Sequence, residues 1–330
     1  MRWVDGHCDV LSKMWSAKSP LSFYRRDSNL DVTWPLMEQA EVGLQVFALF
    51  VPPEVPGGAT WQAALAQVDH FYESVVGDGS RMVPIRSQRE LAALERTGKV
   101  GGLLSLEGAE ALQGDLVHLR LLYRLGLRQV GLTWNGANEA ADGIEEERGG
   151  GLTRFGRRLA AEMQRLSMIL DVSHLSVRGF WEVIEWTGLP VIASHSNCRS
   201  LCSHVRNLDD RQIRALIQRE GRMGITFVPK FVTDDPDRAT VEGVLRHVEH
   251  VCSLGGEEIL TFGSDFDGTD RKIPGLEHTG HLDRLWEALI KRYPETLVKR
   301  WTTNNWLHFY SKHLPSGGGF PPRQTDDSGI

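Results

Sequence analysis

Apolar and polar residues follow one another along this chain in two rhythms. Short runs rich in Val, Ile, Leu and Phe, each ending in small or polar residues, predict strands at 4–10, 44–51, 102–106, 129–134, 168–173, 190–194, 223–228 and 259–263. Between most of these runs the apolar residues recur every three or four positions. That spacing predicts helices at 59–76, 116–125, 153–166, 177–186, 209–219 and 240–252. Over 153–166, for example, Phe155, Leu159, Met163 and Leu166 share one face. Strand–helix alternation carried through eight units predicts an α/β protein, a (β/α)8 TIM barrel. An open doubly wound sheet is the alternative, but the first strand lacks the Gly-rich turn of a dinucleotide site.

No Pro/Gly/Ser-rich linker interrupts the chain before Leu314-Pro-Ser-Gly-Gly-Gly, so the expected division is a barrel over residues 1–313 and a loose polar tail over 314–330. With 41% hydrophobic and 24% charged residues, disorder as the main state is excluded. A net charge of −6 argues against a nucleic-acid partner. No apolar run reaches the roughly 20 residues that span a bilayer. Asp5 and His7 come too early for a signal peptide, so the expectation is a cytoplasmic protein without a membrane anchor. The 4 cysteines fit no disulfide framework and read as reduced thiols, with Cys198 and Cys202 as small packing residues.

In such a barrel the mouth is built by the C-terminal strand ends and the loops that follow them. Ionisable residues gather there: Asp5-Gly-His7-Cys-Asp9, Ser105-Leu-Glu107, Asp171-Val-Ser-His174, Ser194-His195 and Ser264-Asp265-Phe-Asp267. His7 and Asp9 are two apart on a strand, so both face one side and Cys8 the other. Imidazole nitrogen and carboxylate oxygen are ligands for a zinc-type ion. His7, Asp9, Glu107, His174 and His195 suffice for two metals if Glu107, between the two groups, bridges them. A bridging water would then lose its proton near neutral pH, and the hydroxide would attack a carbonyl. Asp265 is placed to take the proton of the attacking water and hand it to a leaving amine. Asp267 competes for that role unless it is simply a turn residue. His204, His247, His250, His278, His281, His308 and His313 lack strand-end positions, and most of them read as surface or cap residues.

The motifs Asp5-Gly-His-Cys-Asp9, Leu106-Glu-Gly, Tyr123-Arg-Leu-Gly-Leu-Arg, Leu132-Thr-Trp-Asn135, Asp171-Val-Ser-His174, Ser194-His-Ser196 with Arg206-Asn207, and Gly263-Ser-Asp-Phe-Asp-Gly268 resemble the renal or membrane dipeptidases, peptidase family M19, from His7 to about Phe309. The resemblance implies a dinuclear Zn2+ hydrolase with the ligand set above, Glu107 bridging, and Asp265 as acid/base. It implies a small dipeptide as substrate, a D-residue included at the C-terminal position. It sets Arg206, with its fork of N–H donors, against the substrate or its tetrahedral intermediate, and Trp134 and Asn135 beside it. The family is commonly dimeric, which leaves a homodimer open. The animal enzymes have histidine where this chain has Trp134, and tyrosine where it has Val228, so the pocket wall differs while the metal ligands do not. Another small amide, N-acyl amino acid or lactam substrate is the alternative within this chemistry. A non-catalytic metal-binding scaffold is the alternative outside it.

Overall fold

Among the described residues, nine parallel strands arise where β-branched and other apolar side chains run together, and eight of them curl into a nearly closed barrel. They are β1 (Trp3–Asp5), β2 (Val42–Phe50), β3 (Met82–Pro84), β4 (Val100–Glu107), β5 (Leu127–Gly131), β6 (Ile169–Asp171), β7 (Val191–Ala193), β8 (Arg222–Ile225) and β9 (Leu260–Phe262). The order around the barrel is β1-β2-β4-β5-β6-β7-β8-β9, as a (β/α)8 chain requires. This computed structural model describes residues 3–27, 29–317 and 319–320. The unexpected β3 pairs with Val100–Gly102 of β4, below the point where β5 takes over at Leu104.

The seam between β9 and β1 is closed above the strands. Gly6 N donates to Phe262 O (2.9 Å), Asp265 N to His7 O (3.2 Å) and Asp9 N to Phe266 O (2.9 Å). Asp5 fastens the same seam by accepting the Ser264 N–H (2.8 Å) and hydroxyl (2.6 Å).

Strand periodicity sorts the side chains. On β4, Leu104 and Leu106 face the outer core under the helices, whereas Leu103 joins Val4, Leu44, Ile169 and Ile192 in a second apolar cluster. That cluster also contains Trp306, Phe309 and Tyr310 of the last helix, Asn305–His313. This helix packs into the barrel, and the Trp306 indole N–H donates to Phe262 O (3.0 Å). Packed chain continues past the expected 313/314 boundary: Leu314 is buried, and the Phe320 ring stacks edge-on against Tyr123 and under Arg124. Of the expected tail, Gly318 and residues 321–330 lie outside the described residues.

The expected helices are all present, and most of their starts carry a side-chain cap. Thr153, Ser176, Asp209 and Thr240 each accept a backbone N–H of the first turn. The run at 59–76 divides into helix Thr60–Asp69 and a π-helical turn, His70–Val76. The first strand is a correction: it stops at Asp5, and helix Val10–Ser16 begins where the strand was expected to end. Among the described residues no helix is long and apolar enough to cross a membrane. The four cysteines are free, and Cys8, Cys198 and Cys202 are buried.

His247 also departs from expectation, being wholly buried on the inner face of helix Val241–Ser253. Its Nδ1 accepts the Cys198 N–H (3.1 Å), so its Nε2–H donates to Val232 O (3.0 Å) and the ring is neutral. Burial pushes its pKa down to about 4. The unfolded chain therefore binds a proton between about pH 6.5 and 4 that the folded chain refuses, and stability falls as the solution is acidified through that window. The expected loss by pH 5 is about 2 kcal/mol. Urea unfolding at pH 7 and pH 5 reads it, and His247→Gln should lessen the pH dependence by about that share, since His174 and His195 are held low in the same window; an equally steep variant would contradict the assignment.

Candidate metal centre

Backbone geometry delivers each ligand to the mouth. Ser105 and Glu107 follow Leu103 on the inward face of β4, while His174 and His195 sit just beyond the ends of β6 and β7. His7 and Asp9 lie beyond the end of β1. Between them Cys8 still pairs with β2: Cys8 N donates to Val46 O (3.1 Å) and Ala48 N to Cys8 O (2.9 Å). Cys8 therefore points into the apolar core, and its two neighbours face the mouth.

The five expected ligands converge. His7 Nε2 lies 3.3 Å from Asp9 Oδ2 and 3.5 Å from Glu107 Oε2. On the other side, Glu107 Oε1 is 2.8 Å from His174 Nε2 and 3.6 Å from His195 Nε2. The two oxygens of Glu107 thus face the two groups separately, as a bridging ligand must. His174 and His195 bring their Nε2 atoms within 2.8 Å of one another. Asp265 Oδ1 stands 3.9 Å from His7 Nε2, on a residue held at φ +63°.

This donor set suits divalent cations. The His7 ring nitrogens and Asp9 Oδ1 are buried without any hydrogen-bond partner, an arrangement that costs free energy unless something positive binds there. His174 Nδ1–H donates to Asn135 Oδ1 (2.7 Å), which leaves the Nε2 lone pair facing Glu107. Three imidazoles and two carboxylates match the ligand preferences of zinc-type ions.

Electrostatics agree. Burial, reinforced by the charge of Arg206, pushes His174 down to about 3. Burial and the charge on His7 push His195 well below the ordinary range. Both rings are therefore neutral, the form that ligates. At His7 burial again opposes charge, but Glu107 and Asp9 outweigh it and hold the ring pKa well up. Burial and the nearby Glu107 push Asp9 well up. Burial also raises Asp265. Crowded carboxylates retain positive charge at His7, and a divalent ion would supply that charge instead.

Around the centre opens a cavity of about 390 Å³. Phe50 and Trp134, with ring centroids 5.3 Å apart, form one wall, and Val228 and Phe231 contribute elsewhere. Arg206 is buried beside the ligands: its Nη2 lies 3.1 Å from His174 Nε2 and 3.3 Å from His195 O, its Nη1 donates to Ser173 O, and its Nε has no partner. Asn135 also lines the cavity, although its side-chain oxygen is engaged by His174. Asp267 behaves as an anchor, accepting the N–H groups of Asp31 (2.9 Å) and Val32 (3.0 Å).

Sequence reasoning overlooked Ser12, Lys13 and Ser16, which line the cavity from helix Val10–Ser16, an element that was not among the expected helices. Lys230 was overlooked as well. A Cβ on Gly268 would come within 2.2 Å of Asp265 Oδ1 and 2.3 Å of Asp9 Oδ2. Gly268→Ala is therefore expected to push one of these carboxylates out of place and reduce hydrolysis about a hundredfold. Steady-state kinetics on the folded variant would check this, and near-wild-type turnover would contradict it.

Comparison with known proteins bears on the same residues. The sequence profile described as "Membrane dipeptidase (Peptidase family M19)" matches residues 1–313. "Dipeptidase tcpJ" of Claviceps purpurea (strain 20.1) is 33% identical over 236 residues, 71% of this chain but only 56% of its own length. The chain thus spans little more than half of that curated relative. Among solved structures, a metallo peptidase from Rhodobacter sphaeroides, liganded with a phosphinate mimic of the dipeptide L-Ala-D-Ala, superposes with a TM-score of 0.88 at 27% identity, covering 95% of this chain and 99% of that one. The dipeptidase AC, a metallo peptidase of family M19, superposes with a TM-score of 0.89 at 28% identity, covering 96% and 99%. Profile and superposition agree with the geometry of the mouth, and this chain belongs to the membrane dipeptidase family, peptidase family M19.

Proposed function

We propose that this protein is a metal-dependent dipeptidase that hydrolyses the single peptide bond of a small dipeptide with a free α-amino group. The observation that carries the proposal is the convergence of His7, Asp9, Glu107, His174 and His195 beside Asp265 on one cavity of about 390 Å³. That volume lies at the small end of the range for ligand pockets. The ions proposed are two Zn2+, one held by His7 and Asp9, the other by His174 and His195, with Glu107 shared. Bound there, they supply Lewis-acid chemistry, polarising the substrate carbonyl and making water nucleophilic near neutral pH.

The chain's own groups do the rest. Asp265, at the cavity edge, accepts the proton of the attacking water and returns it to the leaving amine. Arg206, which packs behind His174 and His195 and is not among the residues lining the cavity, would favour a developing oxyanion through its buried positive charge. Phe50 and Trp134 present a flat apolar wall to a substrate side chain and exclude water from it. A D-residue at the C-terminal position is proposed as acceptable, which the L-Ala-D-Ala mimic bound to the Rhodobacter relative supports.

The apolar wall also favours a second reading, in which an N-acyl amino acid or lactam occupies the pocket. A panel of L-L and L-D dipeptides, N-acetylated amino acids and lactams, assayed with zinc-loaded protein, decides between them. Turnover of dipeptides above all others is the expected result. Turnover confined to acylated compounds or lactams would move the assignment to the second reading.

A further inference from the structure

Below the ligands lies a polar layer that takes no part in the chemistry described above. Asp171, the buried last residue of β6, accepts hydrogen bonds on both oxygens from one neighbourhood. Its Oδ1 accepts the Ser173 N–H (3.0 Å), the Ser173 hydroxyl (2.9 Å) and the Ser194 N–H (3.0 Å). Its Oδ2 accepts the Ser194 hydroxyl in a short hydrogen bond. Ser194 Oγ lies in turn 2.8 Å from Nδ1 of the adjacent His195.

Proton bookkeeping along this row has one solution. A carboxylate cannot donate, so the Ser194 hydroxyl spends its proton on Asp171. Toward His195 the Ser194 oxygen is then an acceptor, and Nδ1 must carry the ring proton. Nε2 keeps its lone pair, and it is Nε2 that meets His174 and Glu107. We propose that Asp171, acting through Ser194, sets the tautomer and orientation of His195 and so aims its Nε2 at the metal centre. The two are positioning residues, and the proposal rests on the metal-centre reading above.

A contrasting arrangement sits at the β9/β1 seam of the same barrel. Asp5 accepts the N–H and hydroxyl of Ser264 just as Asp171 accepts those of Ser194. There, however, the serine oxygen meets the His7 backbone carbonyl (3.1 Å), and His7 Nδ1 has no partner. An Asp–Ser pair suffices to join neighbouring strands; contact with an imidazole nitrogen is the additional feature at Ser194.

Asp171→Asn and Ser194→Ala separate a positioning role from a merely structural one. In Asp171→Asn the three donors around Oδ1 keep the amide oxygen in place, so the new NH2 faces Ser194. The serine hydroxyl then accepts from the amide and turns its own proton to His195 Nδ1. That reverses the ring and puts a proton on Nε2, which opposes metal binding. In Ser194→Ala the ring merely loses its guide.

Co2+ is the probe, with its affinity and visible spectrum as readouts for the wild type and each variant. Asp171→Asn is expected to lower Co2+ affinity by about 10–100-fold and to alter the spectrum, and Ser194→Ala to do so by less. The double variant should bind no more weakly than Ser194→Ala alone, because the misdirected proton travels through Ser194. Variants that lose stability yet bind Co2+ with wild-type affinity and spectrum would overturn the proposal, as would losses that add fully in the double variant. Should Asp171→Asn fail to fold, Ser194→Ala decides alone: weakened Co2+ binding supports the proposal and wild-type binding overturns it. A wild-type protein that binds no Co2+ would overturn the metal centre and this proposal together. Wild-type binding with unaffected variants overturns the positioning role only.

Discussion

Glu107→Gln is expected to reduce dipeptide hydrolysis by at least about a thousandfold and to leave the protein with less than half its wild-type metal content. The two carboxylate oxygens of Glu107 reach both halves of the site: Oε1 faces His174 at 2.8 Å, and Oε2 faces His7 at 3.5 Å. The amide removes one negative charge from a buried cluster whose carboxylates offset the positive charge of bound ions. It also replaces one acceptor oxygen with an NH2 that cannot ligate. Because β4 holds the residue by its ladders to β2 and β5, the fold should survive. Metal analysis alongside kinetics checks the result. Full metal content with near-normal turnover would contradict the central position assigned to Glu107.

Asp265→Asn should separate chemistry from metal binding. The carboxylate stands 3.9 Å from His7 Nε2 and faces the cavity, and its amide counterpart can neither accept nor return a proton. The expected fall in kcat is about 10²–10⁴-fold, with metal content unchanged. Loss of one ion per chain would instead make Asp265 a ligand, because its oxygen also lies within reach of the His7 and Asp9 donor atoms. The variant also bears on the scaffold alternative, since a protein that only binds a partner through its metals should not depend on this carboxylate.

Much of this was legible in the residues, for physical reasons. All eight barrel strands are in the expected order, because each is a short apolar run closed by polar residues, and parallel strands buried on both faces have that composition. Their ends were less legible. The run from Val4 was expected to stay in strand to Val10, yet the continuous strand ends at Asp5, pairing resumes only at Cys8, and a helix starts at Val10. A hydrophobic run carries no mark of where hydrogen bonding changes partner. β3, three residues ending in Pro84, is too short for periodicity to show. His247 was recoverable, since it shares the buried face of its helix with Val244, Val248 and Val251.

The site divides in the same way. The expected ligands could be placed at one mouth because each lies at or just beyond a strand end, where barrel topology determines what faces the mouth. The partners behind them could not. Asn135 reaches His174 across a loop, and Asp171 reaches His195 only through a serine on the next strand. Such links depend on the register between strands, which side-chain identity alone does not specify.

The most direct test of the account is to strip the protein with a chelator and titrate Zn2+ back while following hydrolysis of an L-L and an L-D dipeptide. Activity that vanishes on stripping and returns in step with metal, saturating at about two ions per chain, is the predicted result. Dipeptide hydrolysis that survives complete removal of metal would contradict it.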